Sequence, residues 1–382
     1  MDYNLESLRW HAEKKGKISV ESKFEIKTKD DLSILYTPGV AEPCRKIAQE
    51  RENVYKYCSK GNLVAIVSDG SSVLGLGNIG AEAAIPVMEG KAILFKKFAG
   101  VDAFPICLDT QDTDEIVETI KRIAPVFGGI NLEDISAPRC FEIEERLRRE
   151  LNIPVFHDDQ HGTAIACLAG LINALKVVRK KIEEVKIVIN GAGAAGLSIA
   201  KLFLRYGAKD IVMCDSKGII YNGREGLNKY KEHIASVTNK GTIKGSLLDA
   251  IDKADVFVGV SVAGALSKDM ARLMNKDAII FAMANPVPEI MPDEAKSCGA
   301  RVYASGRSDF KNQINNVLVF PGIFRGALDS RVSDINENMM IRAAEAIASC
   351  VDSPVEENII PSVFDEKVAV TVADAVRNID IL

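Results

Sequence analysis

The sequence predicts an α/β protein built from two domains, the second of them doubly wound. From residue 63 onwards, short apolar runs alternate with helical patterns, which is typical of parallel sheets. A second series of strands follows, and its first strand leads into a glycine-rich loop near residue 190. The length of 382 residues fits two or three domains at about 150 residues each.

The first series of strands and helices lies within residues 1–160. Its successive segments are LVAIVSDG (strand), AEAAIPVMEGKAILFKK (helix), DAFPICLD (strand), DEIVETIKRIA (helix), GGINLED (strand), PRCFEIEERLRREL (helix) and IPVFHDD (strand). A long apolar helix from Gly162 to about Lys180 follows. We therefore predict a domain boundary near residue 160.

The second series lies within residues 161–330, and a helical tail follows it. The predicted strands are VKIVING, DIVMCD, ADVFVGVS, AIIFAMANP, RVYASG and NVLVFPG. In residues 331–382, the amphipathic patterns INENMMIRAAEAIASCV and DEKVAVTVADAVRNI predict two helices, separated by Pro354 and Pro361. We expect these C-terminal helices to pack back on the body of the protein.

The loop GAGAAG has the context that a dinucleotide-binding loop requires. It follows a strand and opens the helix LSIAKLFLRYG, so that Gly191 allows a tight turn, Gly193 admits the pyrophosphate and Gly196 lets helix and strand touch. The free N–H groups of the helix face the phosphates. The next strand ends at Asp215, where a carboxylate can bind the adenosine ribose. The predicted Rossmann-like site for NAD or NADP comprises Gly191, Ala192, Gly193, Ala194, Ala195, Gly196 and Asp215.

A second glycine loop, GLGNIG at residues 75–80, lacks this context. The segment SDGSSV separates it from its strand, and Pro86 and Gly90 interrupt the segment that follows. We interpret it as a structural or substrate loop. Asp215 alone does not decide between NAD and NADP. Lys217 could contact the 2′-phosphate of NADP, but we expect it to be an exposed turn residue.

Acidic pairs follow two consecutive predicted strands. Glu133 and Asp134 end one strand, and Asp158 and Asp159 end the next. Because consecutive parallel strands are often neighbours, we expect all four carboxylates at one carboxyl edge of the sheet. Such a cluster needs a cation, and hard oxygen ligands select Mg²⁺ or Mn²⁺. Alternatively, each acid simply caps the helix after it.

Two histidines flank the second acidic pair, and their spacing raises the possibility of zinc. His157 lies in the predicted strand, whereas helix begins only near Gly162, so His157 and His161 do not share a helical face. We therefore predict hydrogen-bonding roles for both histidines rather than metal ligation.

Composition excludes several classes of partner. The net charge of −5 and pI near 5.6 argue against a nucleic-acid groove. The longest apolar stretch, AIACLAGLINAL, is about half of what a bilayer span needs, so we expect no membrane partner. The eight cysteines are scattered without a C-x-x-C pair, and the N-terminus carries no apolar signal core. We expect a cytoplasmic protein.

An ordered set of long motifs resembles malic enzyme of the small prokaryotic type. The motifs are LYTPGVAEPC, GLGNIGAEAAIPVMEGKAILFKKFAGVDAFP, INLEDISAP, VFHDDQHGTA, GAGAAG, FAMANP and QINNVLVFPG, spread from about Gly16 to the C-terminal helices. The resemblance implies oxidative decarboxylation of L-malate to pyruvate and CO₂ with NAD or NADP and Mg²⁺ or Mn²⁺. It also implies decarboxylation of oxaloacetate and a homodimer or higher homo-oligomer.

The resemblance further implies roles for individual residues. Lys91 corresponds to the general base on the C2 hydroxyl of malate, which requires a lowered pKa, and Tyr36 to the acid that protonates C3. The metal ligands correspond to Glu133, Asp134 and Asp159. Asp158 corresponds to a carboxylate behind them that polarises the lysine. Asn285 and Asn316 correspond to side chains that contact the substrate and the nicotinamide ribose.

One position departs from the family pattern, and two other functions stay open. Larger members of the family hold a malate carboxylate with an arginine where this chain has Ser72. A metal-independent amino-acid dehydrogenase of similar build is one alternative, and it would not need two acidic pairs. A non-catalytic NAD(P) sensor is the other, and it would not need both Lys91 and Tyr36.

Overall fold

The chain forms two β-sheets that follow one another along the sequence. The computed structural model describes residues 2–73 and 75–377. The strands are β1 Leu63–Ser68, β2 Asp102–Cys107, β3 Gly129–Leu132, β4 Val155–His157, β5 Lys186–Asn190, β6 Asp210–Asp215, β7 Gly218–Ile219, β8 Val256–Gly259, β9 Ala278–Ala282 and β10 Ala300–Ser305. The first sheet has the order β2-β1-β3-β4 and is parallel. The second has the order β10-β9-β8-β5-β6-β7, in which only β7 is antiparallel.

Helices cover both sheets. They are α1 Tyr3–Lys14, α2 Lys29–Leu35, α3 Ala41–Gln49, α4 Val54–Tyr57, α5 Ala81–Ala99, α6 Thr113–Ile123, α7 Arg139–Glu150, α8 Thr163–Val178, α9 Ala194–Tyr206, α10 Lys229–Val237, α11 Leu247–Ile251, α12 Lys268–Arg272, α13 Pro292–Ser297, α14 Phe320–Ser330, α15 Glu337–Ser349 and α16 Glu366–Arg377. Central strands such as β1 and β9 are apolar and buried along their length because helices cover both faces. The α/β fold class predicted from the sequence is confirmed.

One predicted strand is wrong. The run NVLVFPG forms a turn of 3₁₀ helix at Asn316–Leu318 and then the start of α14. A short apolar run does not distinguish a buried strand from a buried helix. Pro321 favours the helix, because it lies in the first turn of α14, where its missing N–H leaves no hydrogen bond unmade.

Most residues of the apolar helix α8 are buried. Together with the turn before it, the stretch Asp158–Val178 is long and apolar enough by length and composition to cross a membrane. This corrects the expectation that no stretch reaches that length. However, 67% of its most apolar window is buried inside the protein, as in the core helix of a globular fold.

The C-terminal helices pack against the rest of the chain. In α8, the buried Asn173 side chain donates hydrogen bonds to the carbonyl oxygens of Ala348 (2.9 Å) and Ile359 (3.0 Å). On α14, a Cβ at Gly326 would lie 2.7 Å from atoms of α16, so glycine allows these two helices to approach closely. The last five residues, 378–382, of the predicted C-terminal part lie outside the described residues.

The N-terminal segment, residues 2–59, has an unusual surface. None of its residues is buried, although it contains α1 to α4. Its exposed large apolar side chains are Tyr3, Leu5, Leu8, Trp10, Val20, Phe24, Ile26, Leu32, Ile34, Tyr36, Val40 and Tyr57.

Candidate active site

The four acidic residues meet at one edge of the first sheet, as the sequence predicts. Strands β3 and β4 are parallel neighbours, and Leu132 at the end of β3 pairs with His157 at the end of β4. The residues directly after both strands therefore lie side by side. One ligand oxygen from each of Glu133, Asp134 and Asp159 lies within 4.8 Å of the other two.

The local backbone and a buried amide orient these carboxylates. Asp134 has a left-handed conformation (φ 55°), which short polar side chains tolerate better than others. Its backbone N–H donates to Asp159 Oδ2 at 2.8 Å, so the two acidic pairs are tied directly to each other. Asn131, fully buried in β3, donates to Glu133 Oε2 at 2.9 Å.

The cluster has the chemistry of a site for a hard divalent cation. Its donor atoms are all carboxylate oxygens, which suit Mg²⁺ or Mn²⁺ rather than zinc. Burial raises the pKa of Glu133, and although Lys91 opposes this, the pKa is still raised to about 7. A carboxylate whose ionised form is destabilised in this way gains most from a nearby cation. The three residues therefore fit the metal that the sequence predicts.

Lys91 is a buried part of this cluster rather than a surface residue of α5. Its side chain is 7% exposed, and Nζ lies 2.5 Å from Glu133 Oε1 and in contact with Asp158. Burial lowers the pKa of Lys91, but the carboxylates of Asp158, Glu133 and Asp159 outweigh it and hold the pKa above its usual value. The lowered pKa that a general base requires is therefore not present in the protein alone.

Asp158 lies between Lys91 and Asn316. It begins a π-helical turn, Asp158–Gly162, and its Oδ2 contacts Lys91 Nζ and accepts from Asn316 Nδ2 at 2.5 Å. A Cβ at Gly162 would lie 1.9 Å from Asp158 Oδ1, so only glycine leaves room for this carboxylate. Burial raises the pKa of Asp158 to about 7, against the effect of Lys91.

The side chains of His157 and His161 differ in their hydrogen bonding. His161 Nε2 lies 2.9 Å from the buried Glu144 carboxylate, which confirms its predicted hydrogen-bonding role. For the ring of His157 the prediction is wrong, because neither ring nitrogen has a hydrogen-bond partner in the part of the chain that the structure describes. Burial lowers the pKa of His157 to about 4, so that its ring is a neutral, fully buried group.

The loop at residues 191–196 has the geometry of the glycine fingerprint. Gly191 has φ +117°, and a Cβ there would lie 2.4 Å from the Val260 carbonyl oxygen. A Cβ at Gly196 would lie 1.8 Å from the carbonyl oxygen of Gly191. By contrast, no described atom lies within 4 Å of a Cβ at Gly193, which leaves the space that a pyrophosphate would need.

Asp215 ends β6, and two cations neighbour it. Arg224 and Lys231 lie 2.5 Å and 2.8 Å from its Oδ2. Burial alone would raise the pKa of Asp215, but its hydrogen bonds to these two side chains hold the pKa well below its ordinary value. Asp215 is therefore ionised, and a ribose hydroxyl would share it with both cations.

Asn285, Ser72 and Tyr36 are the remaining residues that the sequence analysis discusses, and each has different surroundings. Asn285 follows β9, and its carbonyl oxygen lies 3.0 Å from a Cβ built at Gly75, so the loop of the first glycine motif meets the second sheet here. Ser72 donates its backbone N–H to the carbonyl oxygen of Asp134 at 2.9 Å. Tyr36 is 66% exposed, and its hydroxyl group has no hydrogen-bond partner among the described residues.

Two supporting residues were not identified from the sequence. The signal for Asn131 is a single amide within the apolar strand GINL, whose burial requires a hydrogen bond. Glu144 has no such signal, because it is one of several charged residues in α7.

These features define a two-domain oxidoreductase that uses a nicotinamide dinucleotide. Two family models match the chain: the N-terminal domain of malic enzyme over residues 13–148 and the NAD-binding domain of malic enzyme over residues 160–380. The chain belongs to the malic enzyme family. Its membership confirms the resemblance and contradicts the alternative of an amino-acid dehydrogenase.

Individual relatives agree with this assignment. The bifunctional malic/malolactic enzyme of Bacillus subtilis is 60% identical over 98% of this chain and 92% of that protein. The NAD-dependent malic enzyme of Geobacillus stearothermophilus is 58% identical over 94% of this chain and 76% of that protein. The crystal structure of the NAD-dependent malic enzyme of Thermotoga maritima superimposes with a TM-score of 0.95 at 50% identity, over 97% of this chain and 98% of that one.

Two substitutions in the glycine loop separate cofactor binding from folding. Gly193→Ala should leave the thermal unfolding temperature within about 1 °C but weaken NAD(P)H binding at least about tenfold, because the methyl group occupies only ligand space. Gly196→Ala should lower both the unfolding temperature and the affinity for NAD(P)H, because its methyl group collides with the backbone. Fluorescence titration and calorimetry measure the two quantities. Unchanged NAD(P)H affinity in Gly193→Ala would place the pyrophosphate elsewhere.

Proposed function

We propose that this chain catalyses the NAD(P)-dependent oxidative decarboxylation of L-malate to pyruvate and CO₂, with Mg²⁺ or Mn²⁺ as cofactor. The observation that carries the proposal is the buried Lys91, in contact with Asp158 and Glu133 beside a three-carboxylate site. A structural ion pair would not need three carboxylates around one lysine. Oxaloacetate is a second substrate, because its decarboxylation is the later half of the same reaction.

Lys91 is the general base. It removes the proton from the C2 hydroxyl while hydride leaves C2 for the nicotinamide, and oxaloacetate results. Lys91 must first lose its own proton, and Asp158, in contact with Nζ and with a pKa raised to about 7, is placed to accept it. Glu133, Asp134 and Asp159 would hold the divalent ion, which would stabilise negative charge on the substrate as a Lewis acid and would lower the pKa of Lys91 by offsetting the carboxylate charge.

The second half of the reaction needs an acid. The C3–C4 bond breaks, CO₂ leaves, and the electron pair forms the enolate of pyruvate, which takes a proton at C3 from Tyr36. Asn316 is hydrogen-bonded to Asp158. Together with Asn285, it contacts the substrate and the nicotinamide ribose.

We infer domains at 1–160 and 161–330, followed by the C-terminal helices 331–382. The eight free cysteines support a cytoplasmic location. The net charge of −5 supports the absence of a nucleic-acid partner, and we infer no membrane partner.

Tyr36 reaches the active site from a second copy of the chain. It lies in the segment 2–59, which contains no buried residue and exposes many large apolar side chains. A twofold homodimer covers such a surface on both copies at once. Each active site then combines Lys91 of one subunit with Tyr36 of the partner subunit.

Turnover with malate tests the proposed function. Reduced cofactor should accumulate with L-malate and Mn²⁺ in the presence of NAD or NADP, and Lys91→Ala should lower kcat by about 10²–10⁴-fold. Lys60→Ala is the matched control, because Lys60 is also buried but donates to the carbonyl oxygens of Ala124, Pro125 and Phe127. It should lower the unfolding temperature and leave kcat unchanged. If neither NAD nor NADP is reduced when Mn²⁺ is present, the proposed function is wrong.

A mixture of two defective variants tests the shared site. Lys91→Ala and Tyr36→Phe chains, each of low activity alone, are co-expressed in equal amounts. Half of the dimers are hybrids with one intact site of two, so about a quarter of the wild-type activity should return. If both residues act within one chain, every site contains one defect and the mixture stays as inactive as its components. Size-exclusion chromatography checks that the mixture forms dimers.

A further inference from the structure

Glu144 is a buried carboxylate for which the proposed reaction has no use. It lies in α7, is 5% exposed and contacts the segment that carries Asp158 and Asp159 at two points. One carboxylate oxygen accepts the backbone N–H of His157 at 3.1 Å. The carboxylate also lies 2.9 Å from His161 Nε2. The two contacts lie on either side of the acidic pair.

The first contact compensates for a missing neighbour strand. Because β4 is the edge strand of its sheet, an N–H group on its outer side has no strand with which to pair. Glu144 accepts the N–H at the last residue of β4, directly before the two aspartates. The direction in which the chain leaves the sheet therefore depends on this carboxylate.

The second contact fixes the far side of the turn. Residues Asp158–Gly162 form a π-helical turn, which is wider than an α-helical turn and rarely persists without support from its surroundings. His161 lies within this turn, and Glu144 holds its ring. Asp159 Oδ2, between the two held points, accepts the Asp134 N–H at 2.8 Å and thereby completes the metal cluster.

We propose that Glu144 is a positioning residue: it holds both sides of the turn and thereby sets the placement of Asp159 for the metal and of Asp158 for Lys91. This inference rests on the proposed function, because it concerns the same metal site. Loss of the carboxylate should weaken metal binding even when the protein stays folded, since partners behind metal ligands typically contribute about 10–100-fold to metal affinity.

Mn²⁺ affinity, measured by the electron paramagnetic resonance signal of free Mn²⁺ without substrate, provides the test. Glu144→Ala should weaken Mn²⁺ binding by about tenfold or more. Glu144→Gln should stay within about threefold of the wild type, because the amide oxygen still accepts the His157 N–H and the amide, which has the shape of the carboxylate, still fills the space beside His161. Equal weakening in Gln and Ala would mean that the charge of Glu144 matters rather than its position, and would overturn the proposal.

A control and a second variant separate positioning from stability. Asn173→Ala removes two buried hydrogen bonds far from the cluster and should lower the unfolding temperature without changing Mn²⁺ affinity. If Glu144→Ala does not fold, His161→Ala removes one of the two contacts and should still weaken Mn²⁺ binding severalfold. Wild-type affinity in Glu144→Ala, or in His161→Ala where that variant replaces it, would overturn the inference. Failure of the wild type to bind Mn²⁺ would instead contradict the proposed metal site.

Discussion

The contact of the buried Lys91 ammonium with Asp158 and Glu133 is the interaction on which the rest of the site depends. Four carboxylates converge where β3 and β4 end, and their mutual repulsion opposes that arrangement. Lys91 compensates only part of this charge. Burial raises the pKa values of Glu133 and Asp158, and a neighbouring carboxylate raises each of them further. The surrounding carboxylates in turn raise the pKa of Lys91 against the effect of its burial. A divalent cation would relieve the remaining repulsion and at the same time release Lys91 to act as a base.

Each of the two sheets positions one part of the candidate site: the first sheet the acidic cluster, and the second sheet the dinucleotide loop. The proposed metal ligands follow two neighbouring strands of the first sheet, whereas the proposed dinucleotide loop follows β5 of the second. Asn316 bridges the two halves, because it comes after the second sheet in sequence and donates to Asp158 after the first. The proposed function therefore places substrate and cofactor between the carboxyl edges of the two sheets.

The sequence predicts the parts of the site that depend on local rules. The ends of two neighbouring strands bring Glu133, Asp134 and Asp159 close together. The spacing of the glycines in residues 191–196 predicts the tight turn and the close approach of helix and strand that this loop has in the structure. Features that depend on tertiary surroundings were not accessible. The run NVLVFPG is helical because of its context, the His157 ring is buried without a hydrogen-bond partner among the described residues, and Glu144 is indistinguishable in sequence from its charged neighbours. The pKa of Lys91 depends on three carboxylates that only the fold brings together.

If the carboxylates are held together for a metal, they should cost stability when the metal is absent. Asp159→Asn tests this most directly, because the amide oxygen can still accept the Asp134 N–H while the charge is removed. In metal-free protein, this variant should unfold at a higher temperature than the wild type. Mn²⁺ should raise the unfolding temperature of the wild type but not that of the variant. A variant that is less stable without metal, and that Mn²⁺ stabilises as much as it stabilises the wild type, would show that the Asp159 carboxylate is structural and is not a ligand of Mn²⁺.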